Sequence, residues 1–126
     1  MLEKRIILEM GSGNDLYGMD YTKAACRAVQ DALHHSSIVL FKSLGRDHQE
    51  MRVQVTIGVQ APEQVDLERV RAELPRGRAE VTAVLGGLNV HDADQGTTHV
   101  LATAAVEAFL PIEPGRWRLS PAQNAG

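Results

Sequence analysis

Gly11-Ser12-Gly13-Asn14-Asp15-Leu16-Tyr17-Gly18-Met19-Asp20 lies between the first apolar run of the chain and its most regular helical stretch, and its reading decides the fold. Three glycines, interleaved with Asn14 and Asp15, give a backbone that can take positive φ and approach a ligand or a neighbouring chain closely. Before it, Arg5 to Met10 reads as a short strand, with Ile6 and Leu8 on one face and Ile7 on the other, ended by Gly11. After it, Asp20 is the expected N-cap of a helix running to about His35, because Ala25, Ala28, Val29, Ala32 and Leu33 recur at helical spacing. That stripe is mostly alanine, so the helix can lie close to its partner, which is expected to be the sheet. Lys23, Arg27, Gln30 and His34 share another face, which is either solvent or a lip of the site. A strand, a glycine-rich connection and a helix N-terminus in succession is where such a chain builds a site.

Outward from there the pattern stays regular. Ser36 to Gly45 is read as a helical or irregular continuation and Arg46 to Glu50 as a polar loop. Val53, Val55, Ile57 and Val59 alternate with Arg52, Gln54, Thr56 and Gly58, which predicts a half-exposed antiparallel strand. Asp66 is placed to cap a short helix through Leu67, Val70 and Leu74 that Pro75 stops. Ala79 to Leu85 alternates again, Gly86-Gly87 supplies a hairpin-type turn, and Leu88 to Val90 returns as a brief strand. His91 to Thr98 is read as an exposed loop. Val100 to Leu110, apolar on both faces apart from Glu107, is expected to be a long central or interfacial strand. This order predicts an α+β fold: a mixed or antiparallel sheet with two helices on one face. Residues 1–111 form a single domain in this reading, and 112–126, with the lone Trp117, a loosely held tail.

With 126 residues and 4% aromatics, the core has to be built from Val, Ile, Leu and Ala. So thin a core makes a homo-oligomer the expected state. The net charge of -3 and pI near 5.9 argue against nucleic acid or an anionic membrane as partner. The single cysteine, Cys26, forms no internal disulfide, and the first apolar run is far too short for a signal core or a span. A cytoplasmic location is expected.

Three kinds of chemistry fit the glycine stretch. A dinucleotide loop is disfavoured, since Leu16 stands where a third glycine is needed. A small anionic or polar metabolite fits better, held by Gly11, Gly13, Asn14, Gly18, Asp20 and Lys23 around the helix start. Asp15 is the candidate general base or cation ligand and Tyr17 a donor to a developing oxyanion. The structural alternative gives the glycines a purely geometric role, Asp20 a cap and Asp15 an Asx-turn. In that case the loop belongs to a non-catalytic assembly protein and makes a subunit contact. His34-His35 ends the helix, where imidazolium bonds the last carbonyls. Adjacent histidines point about 100° apart on a helix, so only one of them could join His48, His91 or His99 around a metal, and no metal site or cofactor is assigned. Cys26, on an alanine-rich helix, reads as a small buried hydrophobe. Glu107 requires a partner, with Arg27 or Arg52 the candidates.

The run Gly11-Ser12-Gly13-Asn14-Asp15-Leu16-Tyr17-Gly18, followed by Asp20 to Ala25 and later His34-His35, resembles a small uncharacterised family of bacterial and plant conserved hypothetical proteins marked by a Gly-x-Gly-x-Asp-x-His-Gly motif. Tyr17 stands where that pattern has histidine, so no imidazole role carries over. The resemblance spans residues 3 to 110 and implies no activity. The element order is also similar to the Bacillus-type chorismate mutase fold, which implies a trimer or higher with sites between subunits.

Overall fold

The computed structural model describes residues 2–34, 51–74 and 78–112. The elements are β1 (Leu2–Asp15), α1 (Tyr21–Leu33), β2 (Arg52–Val59), a 3-10 turn (Pro62–Gln64), α2 (Leu67–Arg71), β3 (Arg78–Leu85), β4 (Leu88–Asp92) and β5 (Thr97–Ile112). They form an α+β fold with one five-stranded mixed sheet in the order β1-β5-β2-β3, and β4 pairs with β5. The expectations for Ser36 to Glu50, for Pro75 and for the tail with Trp117 lie outside the described residues.

β5 is the central strand. It pairs antiparallel with β1 along one side, from Leu2 opposite Ile112 to Asp15 opposite Val100. On its other side it takes β2 opposite Thr103 to Phe109 and β4 opposite Thr97 to Leu101, so β4 continues the lane of β2. β2 and β3 run parallel, which needs a crossover, and the 3-10 turn and α2 provide it. β2 is thus antiparallel to β5 as the alternation predicts, and parallel to β3, which alternation alone does not encode.

Alternation decides which face is core. Val100, Ala102, Ala104, Val106, Ala108 and Leu110 of β5 are buried with Val53, Val55 and Ile57 of β2 and with Ala24, Ala25, Ala28, Val29 and Ala32 of α1. α1 packs on β1 and β5, and α2 on β3 and α1, so both helices lie on this face. Thr22 ties the layers together: its hydroxyl accepts the Asp66 N–H at 2.8 Å and donates to the Gln64 carbonyl at 3.4 Å. Asp66 caps α2 by accepting from the Arg69 N–H.

Two sequence expectations are corrected here. The first strand does not end at Gly11 but continues to Asp15, because its glycines are close-packing positions and not a turn. A Cβ on Gly11 would lie 2.4 Å from the Ala32 nitrogen, and one on Gly13 would lie 2.4 Å from the Ala28 nitrogen and 2.6 Å from the Ala24 oxygen. Glycine on the strand and alanine on the helix bring the two backbones together along a seam that no larger pair could form. Gly86-Gly87, secondly, does not close a hairpin between β3 and β4. The chain there steps over the end of β2 to reach β5, with the Gly86 N–H on the Val59 carbonyl at 2.9 Å and Gly87 at φ +63°. A Cβ on Gly87 would meet the Leu101 oxygen at 2.2 Å, so the crossing needs glycine. The hairpin falls one junction later, between β4 and β5. There Asp92 Oδ1 accepts the Asp94 N–H at 3.0 Å and Gly96 takes φ +66°; of the loop expected from His91 to Thr98, His91, Asp92, Thr97 and Thr98 are strand and only 93–96 turn.

Candidate functional site at the start of α1

Where β1 ends, residues 16 to 20 turn the chain into α1 and frame a cleft of about 450 Å³ lined by Asn14 to Gly18 together with Asp20, Lys23 and Arg27. Asp20 caps the helix by accepting the Lys23 N–H at 3.0 Å. Asp15, only 7% exposed, reaches across the turn and accepts the Asp20 N–H at 2.9 Å. That bond closes the loop over five residues, where an Asx-turn would span two. Gly18 fits against the same carboxylate, since a Cβ there would lie 2.9 Å from Asp15 Oδ2. The positive φ of the loop, +48°, falls on Met19 and not on a glycine.

A second set of contacts runs along the free edge of β1. Lys23, Arg27 and Asp31 follow one another at intervals of one helical turn on the side of α1 beside that edge. Asp31 Oδ2 accepts the Ser12 N–H at 2.9 Å. Arg27 donates to the Asn14 carbonyl at 2.6 Å and stands 3.7 Å from Asp15 Oδ1. Lys23, the next in the row, forms no ion pair among the described residues and borders the cleft. Tyr17, 73% exposed, stands at the mouth with its ring edge-on to His99 at 5.9 Å between centroids. His99 Nδ1 donates to the Leu16 carbonyl, because a carbonyl only accepts.

Comparison with known proteins adds the family. Residues 5–108 match the family described as "Conserved hypothetical protein (Lin0512_fam)". The chain belongs to this family. It is also similar to the solved structure of an FtsZ-like protein of unknown function from Nostoc punctiforme, at 36% identity over 89% of this chain and 99% of that one, with a TM-score of 0.75. No curated protein matches.

Within this member of the family, Asn14, Asp15, Tyr17, Gly18, Asp20 and Lys23 come together around one cleft, whereas Gly11 and Gly13 sit apart from it under α1. Arg27, read from the sequence as solvent or lip, belongs to the cleft, and its helical spacing from Lys23 is the signal that pointed there. His99 was not legible in this role, because it arrives from β5, 83 positions after the residue it bonds. Glu107 is paired as expected, but with Arg5 at 3.2 Å and not with Arg27 or Arg52. Arg52 instead forks onto Glu3 at 2.9 Å and lies over the Phe109 ring. His34 Nδ1 reaches the Gln30 carbonyl at 2.6 Å, the expected role at a helix end. Cys26 is buried beside the Arg69 carbonyl, and burial, reinforced by the Glu73 carboxylate, pushes its thiol pKa up. No helix of the described residues is long and apolar enough to cross a membrane.

Proposed function

We propose that this protein is a cytoplasmic homo-oligomer that binds a small anionic or polar metabolite in the cleft between the end of β1 and the start of α1. The observation that carries the reading is the row on α1. Asp31 and Arg27 are engaged with the edge of β1, while Lys23, one turn further, faces the cleft with its charge unspent among the described residues. A carboxylate or phosphate brought there meets Lys23 and the flank of Arg27, with the Tyr17 hydroxyl at the mouth as a further donor. The chain's own carboxylates already fill part of the helix start: Asp15 takes the Asp20 amide and Asp20 takes the Lys23 amide. Recognition therefore falls to side chains more than to the amides that the glycine motif first suggested. Asp15, with one oxygen on the loop amide and the other toward Arg27, is assigned the role of positioning both. Acid/base chemistry in this cleft would fall first to Tyr17, which is open to a ligand.

The test is a thermal melt with citrate and with inorganic phosphate, run on wild type and on Lys23→Gln, alongside native mass spectrometry for a retained ligand. Wild type is expected to melt higher with at least one anion, and Lys23→Gln to lose most of that shift. An equal shift in both proteins, or none in wild type with nothing retained, would overturn the reading.

A further inference from the structure

The sheet has one face under the helices and one face that no described element covers. On the second face the registers place Leu8 and Met10 of β1 beside Glu107 and Ala105 of β5, and Leu88 and Val90 of β4 beside Leu101 and His99. Met10 is 64% exposed, and Leu8, Val84, Leu88 and Val90 are exposed as well. Between these two apolar patches the registers set Ser12 against Thr103, and β2 and β3 bring Gln54, Thr56, Glu80 and Thr82 to the same face; exposed apolar patches of this kind, rimmed by polar residues, mark a contact surface.

We propose that this open face is where a second copy of the chain docks, closing the Tyr17 side of the cleft so that the ligand site is completed between subunits. The proposal rests on the reading above of a homo-oligomer with a ligand cleft, and names the surface that joins the copies. Size agrees. With strands about 4.8 Å apart and about 3.4 Å of rise per residue, four lanes over about ten residues present roughly 650 Å². Two such faces bury about 1,300 Å², within the range of about 1,200 to 2,000 Å² for stable interfaces. Charge agrees too. Four charged groups of the face pair within the chain, Arg52 with Glu3 and Arg5 with Glu107, and the exposed Glu80, opposite Gln54, lies in the field of Arg52, so the face carries little net charge against a like copy. Such a face also offers little to a strongly charged partner. Strand addition at the edge of β1 is opposed around Ser12 and Asn14, whose outward N–H and C=O are held by Asp31 and Arg27. Finally, the apolar corner runs into the cleft: Val90 lies beside His99, His99 against Tyr17, and Tyr17 lines the cleft mouth.

The test is sedimentation velocity of the full chain across a wide micromolar range, for wild type, Met10→Arg, Val90→Arg and the helix-side control Glu63→Arg, with circular dichroism on each. Wild type and the control are expected to sediment at no less than twice the 13.7 kDa of one chain, and the two face variants at that single mass with native spectra. Should one face variant fail to fold, the other decides. Citrate melts separate the two readings. A monomeric face variant is expected to lose most of the citrate shift, while Lys23→Gln is expected to lose that shift and stay assembled. Wild type running as a monomer, or an oligomer that neither face variant dissociates, overturns the docking surface even if the citrate shift persists. A monomeric face variant that keeps the full citrate shift overturns completion of the site between subunits.

Discussion

Gly13→Ala adds one methyl group where β1 meets α1, and the structure sets what that costs. The new carbon would lie 2.4 Å from the Ala28 nitrogen and 2.6 Å from the Ala24 oxygen, both backbone atoms that no rotamer change can move aside. Ordinary carbon contacts fall at about 3.5 to 4.0 Å, so α1 has to retreat by about 1 Å, and a gap of that size forfeits up to about half of the dispersion attraction of the facing atoms. The facing residues are Ala24, Ala28 and Ala32, each fully buried, and losing part of their contact costs about 1 to 2 kcal/mol in all. The same retreat stretches the Ser12–Asp31 and Asn14–Arg27 hydrogen bonds, worth about 1 kcal/mol each. The total is about 3 kcal/mol, near the upper end for overpacking. For a domain of this size that is a fall in Tm of about 10 to 15 °C. Strand propensity predicts the opposite sign, because alanine in a strand loses less conformational entropy than glycine. Urea unfolding followed by circular dichroism measures the difference, with Ser12→Ala on the exposed face as the control expected to stay within about 0.5 kcal/mol of wild type. A Gly13→Ala protein as stable as wild type would refute the close seam between β1 and α1.

Three further outcomes are expected. Asp15→Asn keeps an oxygen for the Asp20 amide and loses its charge toward Arg27, which is 46% exposed, so unfolding free energy should change by no more than about 1 kcal/mol. Its citrate shift should be retained, and losing that shift would show Asp15 engaging the ligand directly. Met19→Gly should leave stability unchanged or raise it by up to about 1 kcal/mol in chemical denaturation, since φ +48° costs a side-chain-bearing residue and not glycine; a clear loss would mean the Met19 side chain anchors the turn. The Cys26 pKa is raised by burial in the folded chain, so above the ordinary thiol value of about 8.5 the unfolded chain loses its proton first and the folded chain retains it. The stability this contributes is full below that value and is lost as pH rises through the higher folded one. Wild type should therefore lose stability more steeply than Cys26→Ala between about pH 8.5 and 10, and parallel slopes would exclude the effect.

The sequence by itself determined the elements that depend on local periodicity. The alanine stripe and the Asp20 cap set α1, alternation set β2 and β3, and the two-faced apolar run set β5 as the central strand, because in each case neighbouring residues carry the signal. It also located the cleft, since strand end, glycine-rich connection and helix start are contiguous. Only the tertiary structure decided what depends on residues far apart in the chain. Gly11 and Gly13 read locally as a flexible loop, yet they are extended strand, and the atoms that require them to be glycine belong to Ala24, Ala28 and Ala32. Gly86-Gly87 reads as a hairpin in isolation, but β4 pairs with β5, and the carbonyl of Leu101 fixes Gly87 as glycine. Glu107 had to be paired, but Arg5 could be named only once β1 lay beside β5. A residue's own conformational preference is written in its immediate neighbours, whereas packing and pairing are set by backbone that folding brings alongside.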